Sequence, residues 1–416
     1  MGFPGNSYTY RQGTLYCDDV ALADIAAAAG TPVYVYSARA ILENYRAYDG
    51  GLEGVPHRIC YAVKANSNLA LLKLLAGAGA GFDIVSGGEL YRVLKAGGDA
   101  SSVLFSGVGK TPEEIDYALR MGVGGFNCES EAELSLIEAK ASRLGQTASI
   151  AVRVNPEVDA ATHPYISTGL RQHKFGVDAA EVEGMYQRAK GCRHLSLDGV
   201  SCHVGSQMLS TAPLLDALEK MLALADRLRG AGHGIRQLDL GGGLGVPYQM
   251  GEEAADIASY VAQLKEKLAG RDLELVLEPG RSLVAQAGVL VTRVLYRKEN
   301  HGKHFVVVDA AMNDLIRPAL YQAHHEILAL RPSPLGSITA DVVGPVCETG
   351  DFLARDRETP NALPGDLLAV CTAGAYGMVS ASNYNSRPRP AEVLVEGGGW
   401  RVIRKRETLD DLVRGE

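Results

Sequence analysis

The sequence lacks the features of a membrane protein and of a nucleic-acid-binding protein. Its 416 residues contain no uninterrupted apolar run of the roughly 20 residues that a membrane-spanning helix needs. Lysine and arginine form no cluster, and 49 acidic residues against 41 basic ones give a formal net charge of -8. This charge argues against nucleic acid and anionic membranes as the main partners. We therefore expect a small-molecule substrate, no nucleic acid and no membrane partner.

Signals for targeting, disulfides and metals are also missing. Residues 1–6 show no basic region followed by an apolar core, so the cytoplasm is the expected location. The seven cysteines include no Cys-x-x-Cys pair, and there is no His-x-His motif or metal-spaced carboxylate cluster, so no metal site is predicted. Cys60, Cys202 and Cys371 lie in apolar runs and are predicted core residues, whereas Cys347 lies in a predicted loop.

Strand and helix patterns alternate over the first two-thirds of the chain. The composition, 46% hydrophobic and 22% charged, is sufficient for a large core and about two domains. The predicted strands cover residues 58–63, 81–85, 103–106, 125–128, 149–154, 197–204, 237–240 and 274–277. The predicted helices, with apolar positions three or four residues apart, cover residues 69–75, 88–96, 112–121, 130–144, 178–189, 213–229 and 252–268.

This alternation predicts parallel strands, and eight strand–helix units in about 250 residues are typical of a closed (β/α)8 TIM barrel. An open doubly wound sheet is the alternative, because periodicity does not show closure. After residue 282, short strand patterns separated by glycine and proline turns predominate. We therefore predict a barrel over residues 35–282 and a second, mainly β domain over residues 283–416, with the segment 1–34 packing with the β domain.

Lys64 stands at the end of the first predicted barrel strand. A lysine between a packed interior and solvent is easier to deprotonate, and a neutral amine reacts with a carbonyl group. Taken alone, the position of Lys64 is typical of a surface lysine at the end of a strand. Polar or glycine residues follow other predicted strands, however, and a closed barrel would bring them to one mouth, where they could bind an anionic cofactor attached to the lysine. The Gly241–Gly243 triplet is not part of a dinucleotide-binding fingerprint, because position 246 is valine.

Eight segments carry a more specific signal. They are YAVKAN (61–66), FDIVSGGEL (82–90), HVGSQ (203–207), GGG (241–243), EPGR (278–281), RPALY (317–321), CETGD (347–351) and GAYG (374–377). In kind and order, these segments resemble the alanine-racemase-type, pyridoxal-phosphate-dependent amino acid decarboxylases. The resemblance spans nearly the whole chain, and it implies a TIM barrel followed by a β domain.

The resemblance implies pyridoxal 5'-phosphate as cofactor and a role for each matching residue. Lys64 would bind the cofactor through its amine, His203 would stack on the ring, and Glu278 would keep the ring nitrogen protonated, which makes the ring a stronger electron sink. Cys347 would be the proton donor at the carbon that loses carbon dioxide, since a thiol can give up a proton near neutral pH. The other implied cofactor-binding residues are Asp83, Ser206, Gly241, Gly242, Gly243, Gly280, Arg281 and Tyr376.

The motifs of the second domain are similar to those of the diaminopimelate-specific members of this family. This likeness implies decarboxylation of meso-2,6-diaminopimelate to L-lysine and carbon dioxide, the last step of lysine biosynthesis. The implied substrate-binding residues are Arg281, Arg317, Tyr321, Glu348 and Tyr376. Arginine suits the distal carboxylate of this substrate, and a glutamate suits its distal amine. The family also implies a homodimer with shared active sites, in which Cys347, Glu348 and Tyr376 reach the barrel of the other subunit.

Two other functions stay open. One is decarboxylation of another amino acid, free or attached to a carrier. The other is non-catalytic carriage of pyridoxal phosphate, which would need Lys64 but not Cys347, Arg317 or Glu348. A metal-dependent barrel hydrolase is not supported, because the sequence contains no pattern of metal ligands.

The segment 162–176, which contains His163, Tyr165 and Lys174, is predicted to be an extended loop at the barrel mouth. Loops of this length often close over a ligand. A loop that closes over the ligand and a surface loop without a function fit the sequence equally well.

Overall fold

The computed structural model describes residues 7–158 and 174–416. Contacts divide the chain into two compact units. The barrel unit contains Glu43–Val246 and Ala254–Ser282, and the sheet unit contains the residues up to Leu42, Pro247–Glu253 and Leu283–Glu416. Within the described ranges, no helix is long and apolar enough to span a bilayer.

The strands are numbered β1 to β21 along the chain. They are β1 Tyr8–Arg11, β2 Thr14–Cys17, β3 Val20–Ala21, β4 Val33–Ser37, β5 His57–Ala62, β6 Gly81–Ile84, β7 Val103–Phe105, β8 Gly125–Cys128, β9 Ala148–Asn155, β10 Val177–Asp178, β11 Leu195–Ser201, β12 Gln237–Asp239, β13 Glu274–Leu277, β14 Gly288–Asn300, β15 Lys303–Val308, β16 Ile327–Ala329, β17 Ser337–Val343, β18 Phe352–Pro360, β19 Leu367–Val370, β20 Ala391–Glu396 and β21 Gly399–Arg404.

The helices are numbered α1 to α12. They are α1 Leu22–Ala29, α2 Ala38–Gly51, α3 Leu69–Gly77, α4 Gly87–Lys95, α5 Pro112–Met121, α6 Glu131–Leu144, α7 Ala179–Ala189, α8 Ala212–Gly230, α9 Ile257–Leu268, α10 Arg281–Val284, α11 Arg317–Tyr321 and α12 Leu409–Leu412.

The barrel unit contains a closed barrel of eight parallel strands. Their order is β9-β11-β12-β13-β5-β6-β7-β8, and β8 pairs again with β9. This last pairing excludes the open sheet and confirms the TIM-barrel prediction. Every residue of β6 and of β8 is buried, as expected for parallel strands that are covered on both faces. The carboxyl ends of all eight strands therefore meet at one end of the barrel, where active sites of this fold lie.

Capping residues fix where several barrel helices begin. Ser86 accepts a hydrogen bond from the backbone N–H of Glu89 at the start of α4, and Ser130 caps α6 in the same way. Pro112 opens α5 after a Thr111 capping box. The predicted start of the seventh helix at residue 252 was wrong, because Asp256 caps α9 by accepting from Ser259 N at 2.6 Å.

Two strands end before the residues that the sequence assigned to them. β5 ends at Ala62, so Lys64 lies in the short helical turn Val63–Ala65 and not in the strand. β11 ends at Ser201, so His203 lies in the loop that follows. Both side chains thus stand just beyond the barrel strands.

The sheet unit is built mainly from strands. One sheet has the order β18-β17-β15-β14-β4-β20-β21, and β19 pairs with β14 and β16. β4, which crosses the predicted boundary between residues 34 and 35, lies between β14, to which it is antiparallel, and β20, to which it is parallel. The apolar core of this unit combines residues from β1, β2, β4, α1, β14, β19 and β20. Cys371 is buried in this core, as predicted.

Candidate active site

Lys64 and Asp83 form an ion pair at the end of the barrel. Lys64 Nζ lies 2.6 Å from Asp83 Oδ2. The aspartate side chain is fully buried, whereas the lysine side chain is 37% exposed. The pair therefore holds the amine at the boundary between the barrel interior and solvent, which is where the sequence placed it.

An acid cluster fills the barrel interior near this amine. Glu278 directly follows β13. Asp239 is the last residue of the neighbouring strand β12, and its side chain is buried. The amide nitrogen of Asn127 lies within hydrogen-bond distance of three acceptors, Asp239 Oδ2 at 2.8 Å, Glu278 Oε1 at 3.0 Å and Ser106 Oγ at 3.0 Å. Burial and the charge of its acidic neighbours raise the pKa of Glu278 well above its ordinary value. The pKa of Asp239 is also raised, mainly by burial.

His203 is held as a neutral acceptor by the glycine loop. The backbone N–H of Gly242 donates to His203 Nδ1 at 3.2 Å, which leaves the ring proton on Nε2. Burial and the positive charges of Arg153 and Lys64 lower the pKa of His203 well below its ordinary value. The imidazole is therefore uncharged at neutral pH.

The glycine loop Gly241–Gly243 admits no larger residue. Gly241 and Gly243 have φ values of 66° and 118°, which side chains rarely adopt. A Cβ on Gly241 would lie 2.7 Å from the Cys202 carbonyl oxygen, and one on Gly242 would overlap the Glu278 carbonyl oxygen. The loop therefore presents bare backbone.

Three further sequence-predicted residues, Ser206, Gly280 and Arg281, belong to the barrel unit. Arg281 is buried and its Nη2 donates to Ser206 Oγ at 3.2 Å. Gly280 packs so closely on the turn after β5 that an added Cβ would lie 3.0 Å from the side chain of Ala65. This packing connects the loop after β13 to the turn that carries Lys64.

A cavity of about 400 Å³ collects several of these groups. It is lined by barrel-unit residues, among them Lys64, Ser106, Asn127, Arg153, His203 and Glu278. Lysine, histidine and glutamate thus converge as predicted, although the roles assigned to them stay predictions. A lysine amine, a neutral imidazole and a buried carboxyl in one cavity can bind a carbonyl compound and support charge development on it.

Sequence reasoning missed four polar residues of the barrel interior. They are Ser106, Asn127, Glu129 and Asp239. Glu129 Oε1 lies 2.7 Å from Arg153 Nη1 in a buried ion pair, and Glu129 Oε2 accepts from the backbone N–H of Gly176 at 2.8 Å. Their position in the sequence was the available signal, since each is a polar residue within one residue of the carboxyl end of a predicted barrel strand.

The sheet unit carries the other five predicted residues. Arg317 is buried at the start of α11, which ends at Tyr321; its Nη1 lies 2.7 Å from His325 Nε2, and its guanidinium lies 4.3 Å from the centre of the Tyr248 ring. The remaining three predicted residues, Cys347, Glu348 and Tyr376, are in loops. The first two are exposed, and Tyr376 is half-buried with a φ of 57°.

In the loop at Cys347, the backbone N–H of this residue donates to Asn385 Oδ1 at 2.7 Å. The thiol is exposed, as expected for a loop residue, whereas Cys60 and Cys202 are buried core residues as predicted. In the predicted mouth loop, His163 and Tyr165 lie outside the described residues. Lys174 is described, and its Nζ lies 5.1 Å from the centre of the Phe175 ring.

Replacement of Gly242 by alanine is expected to weaken cofactor binding at least about tenfold, because the new Cβ forces the loop away from Glu278. Gly50→Ala is the matched control, since a Cβ there meets nothing within 4 Å. Titration with the cofactor, monitored by absorbance, measures the cofactor affinity of both variants. Equal affinities for the two variants would show that the loop does not contact the cofactor.

Comparison with known proteins places this site in a family. Residues 38–285 match the family of the pyridoxal-dependent decarboxylase, pyridoxal binding domain. The chain is 56% identical to diaminopimelate decarboxylase of Pseudomonas aeruginosa over 411 residues, which cover 99% of each chain.

Solved structures agree with this assignment. Diaminopimelate decarboxylase from Helicobacter pylori, complexed with L-lysine, is 45% identical with a TM-score of 0.91 and covers 94% of this chain and 98% of that chain. Diaminopimelate decarboxylase from M. jannaschii in co-complex with L-lysine is 37% identical with a TM-score of 0.93, and the match covers 99% of this chain and 98% of that chain. The chain therefore belongs to the pyridoxal-dependent decarboxylases and, within them, to the diaminopimelate decarboxylase family.

Proposed function

We propose that this protein decarboxylates meso-2,6-diaminopimelate to L-lysine and carbon dioxide, the last step of lysine biosynthesis, with pyridoxal 5'-phosphate as cofactor. It is a carboxy-lyase, as its family membership indicates. The observation that carries the proposal is the convergence of Lys64, His203 and Glu278 on one cavity of the barrel. High identity to diaminopimelate decarboxylases over nearly the whole chain supports the choice of substrate.

The residues of the cavity fit the cofactor. Among the described residues, the buried Asn127 Oδ1 has no hydrogen-bond partner, although Asn127 lines the cavity, and a polar ligand could satisfy it. Bare backbone at Gly241–Gly243 suits a phosphate group, and the Arg281 guanidinium supplies a positive charge elsewhere in the same unit. When bound, pyridoxal phosphate supplies an electron sink for the charge left at the α-carbon by loss of carbon dioxide.

Each group in the barrel then has a distinct task. Lys64 would hold the cofactor covalently through its amine, which Asp83 orients. His203 would lie against the ring as a neutral imidazole, so it adds no positive charge there. The Glu278 carboxyl would hold a proton at the ring nitrogen. The phosphate would be bound by Ser206, Gly241, Gly242, Gly243, Gly280 and Arg281, with Tyr376 as a further contact.

The distal end of the substrate would select diaminopimelate. Arg281, Arg317 and Tyr321 would bind its carboxylate and Glu348, with Tyr376, its amine. Arg317 is well suited to this role, because His325 and the Tyr248 ring hold its guanidinium in a fixed plane. Lysine and ornithine have no distal carboxylate and would bind less well.

A panel of amino acids tests the substrate. Carbon dioxide release from meso-diaminopimelate, its LL isomer, lysine, ornithine and arginine would be compared at equal concentration. We expect release from meso-diaminopimelate, with L-lysine as the product, and rates at least about 10³-fold lower from lysine and ornithine. Preferred release from either of those two would assign the protein to another amino acid.

Replacement of Cys347 by alanine should reduce kcat about 10²-fold and leave cofactor affinity unchanged, because the thiol would deliver the proton to the α-carbon after decarboxylation. Cys192→Ala is the control, since Cys192 is a partly exposed thiol of the barrel unit with no proposed role. Steady-state kinetics and cofactor titration measure the two effects. Unchanged turnover in Cys347→Ala would remove this residue from the reaction.

We also propose a cytoplasmic homodimer in which the Cys347, Glu348 and Tyr376 loops complete the site of the partner subunit. The exposure of Cys347 and Glu348 supports such a contact. All seven cysteines are free thiols, which supports a reducing compartment.

Complementation tests the shared site. Lys64→Ala and Cys347→Ala should each have little activity, and their mixture after subunit exchange should recover up to about one quarter of wild-type activity, since half of the dimers carry one intact site. A mixture no more active than its components would place the whole site in one subunit.

A further inference from the structure

The acid assigned to the cofactor ring, Glu278, is fixed to a second buried acid, Asp239. Asp239 is the last residue of β12, and Glu278 directly follows β13, the next strand of the barrel. Their backbones are joined on both sides, because Leu240 N donates to the Val276 carbonyl at 3.1 Å and Glu278 N donates to the Gly241 carbonyl at 2.7 Å. Asp239 is fully buried and Glu278 is 8% exposed. The two carboxyls therefore have little freedom to separate.

Asn127 joins the acids from across the barrel. It lies on β8, which is not adjacent to β12 or β13 in the barrel order. Its amide nitrogen has two hydrogens but lies within hydrogen-bond distance of three acceptors, on Asp239, Glu278 and Ser106. Because each donor favours the ionised form of its acceptor, Asn127 stabilises negative charge on this pair.

Asp239 also holds the start of the glycine loop. Its Oδ1 accepts the backbone N–H of Gly241 at 2.8 Å, while its Oδ2 faces the Asn127 amide. The Asp239 carboxylate thus contacts both the Asn127 amide, which positions Glu278, and the glycine loop that is proposed to bind phosphate. Glu278 and the loop are the proposed binding groups for the two ends of the cofactor.

Two buried carboxyls in one hydrogen-bonded cluster cannot both be ionised at low cost. Burial is the largest effect that raises the pKa of each, and the charge of Asp239 raises the pKa of Glu278 further. The other titratable and charged groups that face this pair are Lys64, Asp83, Cys60, Arg153, Cys202 and His203. Lys64 opposes the rise at Glu278, and Asp83 adds to it.

We propose that Asp239 is a positioning residue that shares one proton with Glu278 and holds the Glu278 carboxyl and the glycine loop in a single frame. The proposal rests on the proposed function in one respect only, the assignment of Glu278 and the loop to the two ends of pyridoxal phosphate. Asp239 itself needs no contact with cofactor or substrate.

The proton-sharing part is tested in the apoenzyme. The infrared carbonyl band of the protonated Glu278 carboxyl, identified by its loss in Glu278→Gln, would be followed against pH. Asp239→Asn removes the neighbouring charge, so the midpoint should fall by about one pH unit or more. Asn127→Ser removes a donor to both carboxyls, so the midpoint should rise. Asp198→Asn, the same change at a carboxylate bonded to Ser149 and Ser196, should leave it unchanged.

The opposite signs separate proton sharing from a general loosening of the barrel, which would move both midpoints in the same direction. An unchanged midpoint in Asp239→Asn, or shifts of the same sign in the two variants, would overturn the proposal. If Asp239→Asn does not fold, Asp239→Ser takes its place: a fall of the midpoint supports the shared proton and an unchanged midpoint refutes it.

The frame is tested by cofactor binding. Asp239→Asn should bind pyridoxal phosphate about tenfold more weakly than Asp198→Asn, since an amide has one oxygen and cannot accept from both the Gly241 N–H and the Asn127 amide as the two carboxylate oxygens do. Equal affinities would refute the link between Asp239 and the loop. If the wild-type protein bound no pyridoxal phosphate, the proposed function would fail, whereas the apoenzyme titration would still decide whether the proton is shared.

Discussion

Lys64→Ala is expected to lose covalent attachment of pyridoxal phosphate and to reduce decarboxylation by about 10⁴-fold or more, because no second lysine lines the cavity within residues 7–158 and 174–416. Lys110 is another lysine near the carboxyl ends of the barrel strands. Its Nζ already donates to the carbonyls of Gly107 and Asn127 at 2.8 Å and to Glu133 Oε1 at 2.6 Å, and its side chain is fully buried. These three bonds use all three of its donors.

Borohydride reduction followed by denaturation measures the attachment, since only a covalently bound cofactor stays on the chain. Lys73→Ala is the control, because Lys73 is an exposed lysine on α3. Retention of the cofactor by reduced, denatured Lys64→Ala would place the attachment elsewhere.

Glu278→Gln is expected to retain the cofactor on Lys64 but to reduce kcat about 10²-fold. The amide has nearly the same shape as the carboxyl but carries no negative charge, so it cannot keep a proton at the ring nitrogen. Glu274→Gln is a matched control at the opposite end of β13, where Glu274 pairs with Arg58 at 3.0 Å. Steady-state kinetics measures kcat for both variants. Equal kcat values for Glu278→Gln and Glu274→Gln would contradict the assignment of Glu278 to the ring nitrogen.

The same substitution should change how the stability of the apoenzyme depends on pH. Because the pKa of Glu278 is raised in the folded state, the folded protein keeps a proton that the unfolded chain releases near the ordinary glutamate pKa. The stabilisation is complete below that ordinary pKa and is lost as the pH rises toward the folded value. Thermal unfolding between about pH 5 and pH 8 should therefore show a weaker loss of stability in Glu278→Gln than in the wild type.

Periodicity predicted the barrel because its helices alternate with short apolar strands. Strands buried on both faces, such as β6 and β8, leave a clear apolar run. The sheet unit was harder to predict. β18 carries the alternating charges Arg355, Asp356, Arg357 and Glu358, and such a segment does not predict a strand, since an exposed strand needs no apolar pattern.

Motifs identified the cavity residues whose types are unusual at strand ends, such as Lys64 and Glu278. They did not identify Asn127 or Asp239, because an isolated polar residue in a strand has many explanations. Their contacts arise only when β8 and β12 face one another across a closed barrel, which no local pattern encodes. Likewise, the neutral state of His203 follows from its burial and from the charges of Arg153 and Lys64, which are distant in sequence.

The central claim is that one bound cofactor joins the amine at position 64 to the acid at position 278. A crystal structure of the protein with pyridoxal phosphate tests this most directly. The account predicts a covalent bond from Lys64 Nζ to the cofactor and a hydrogen bond of about 2.8 Å between its ring nitrogen and the Glu278 carboxyl. A cofactor bound to another lysine, or a ring nitrogen turned away from Glu278, would contradict it.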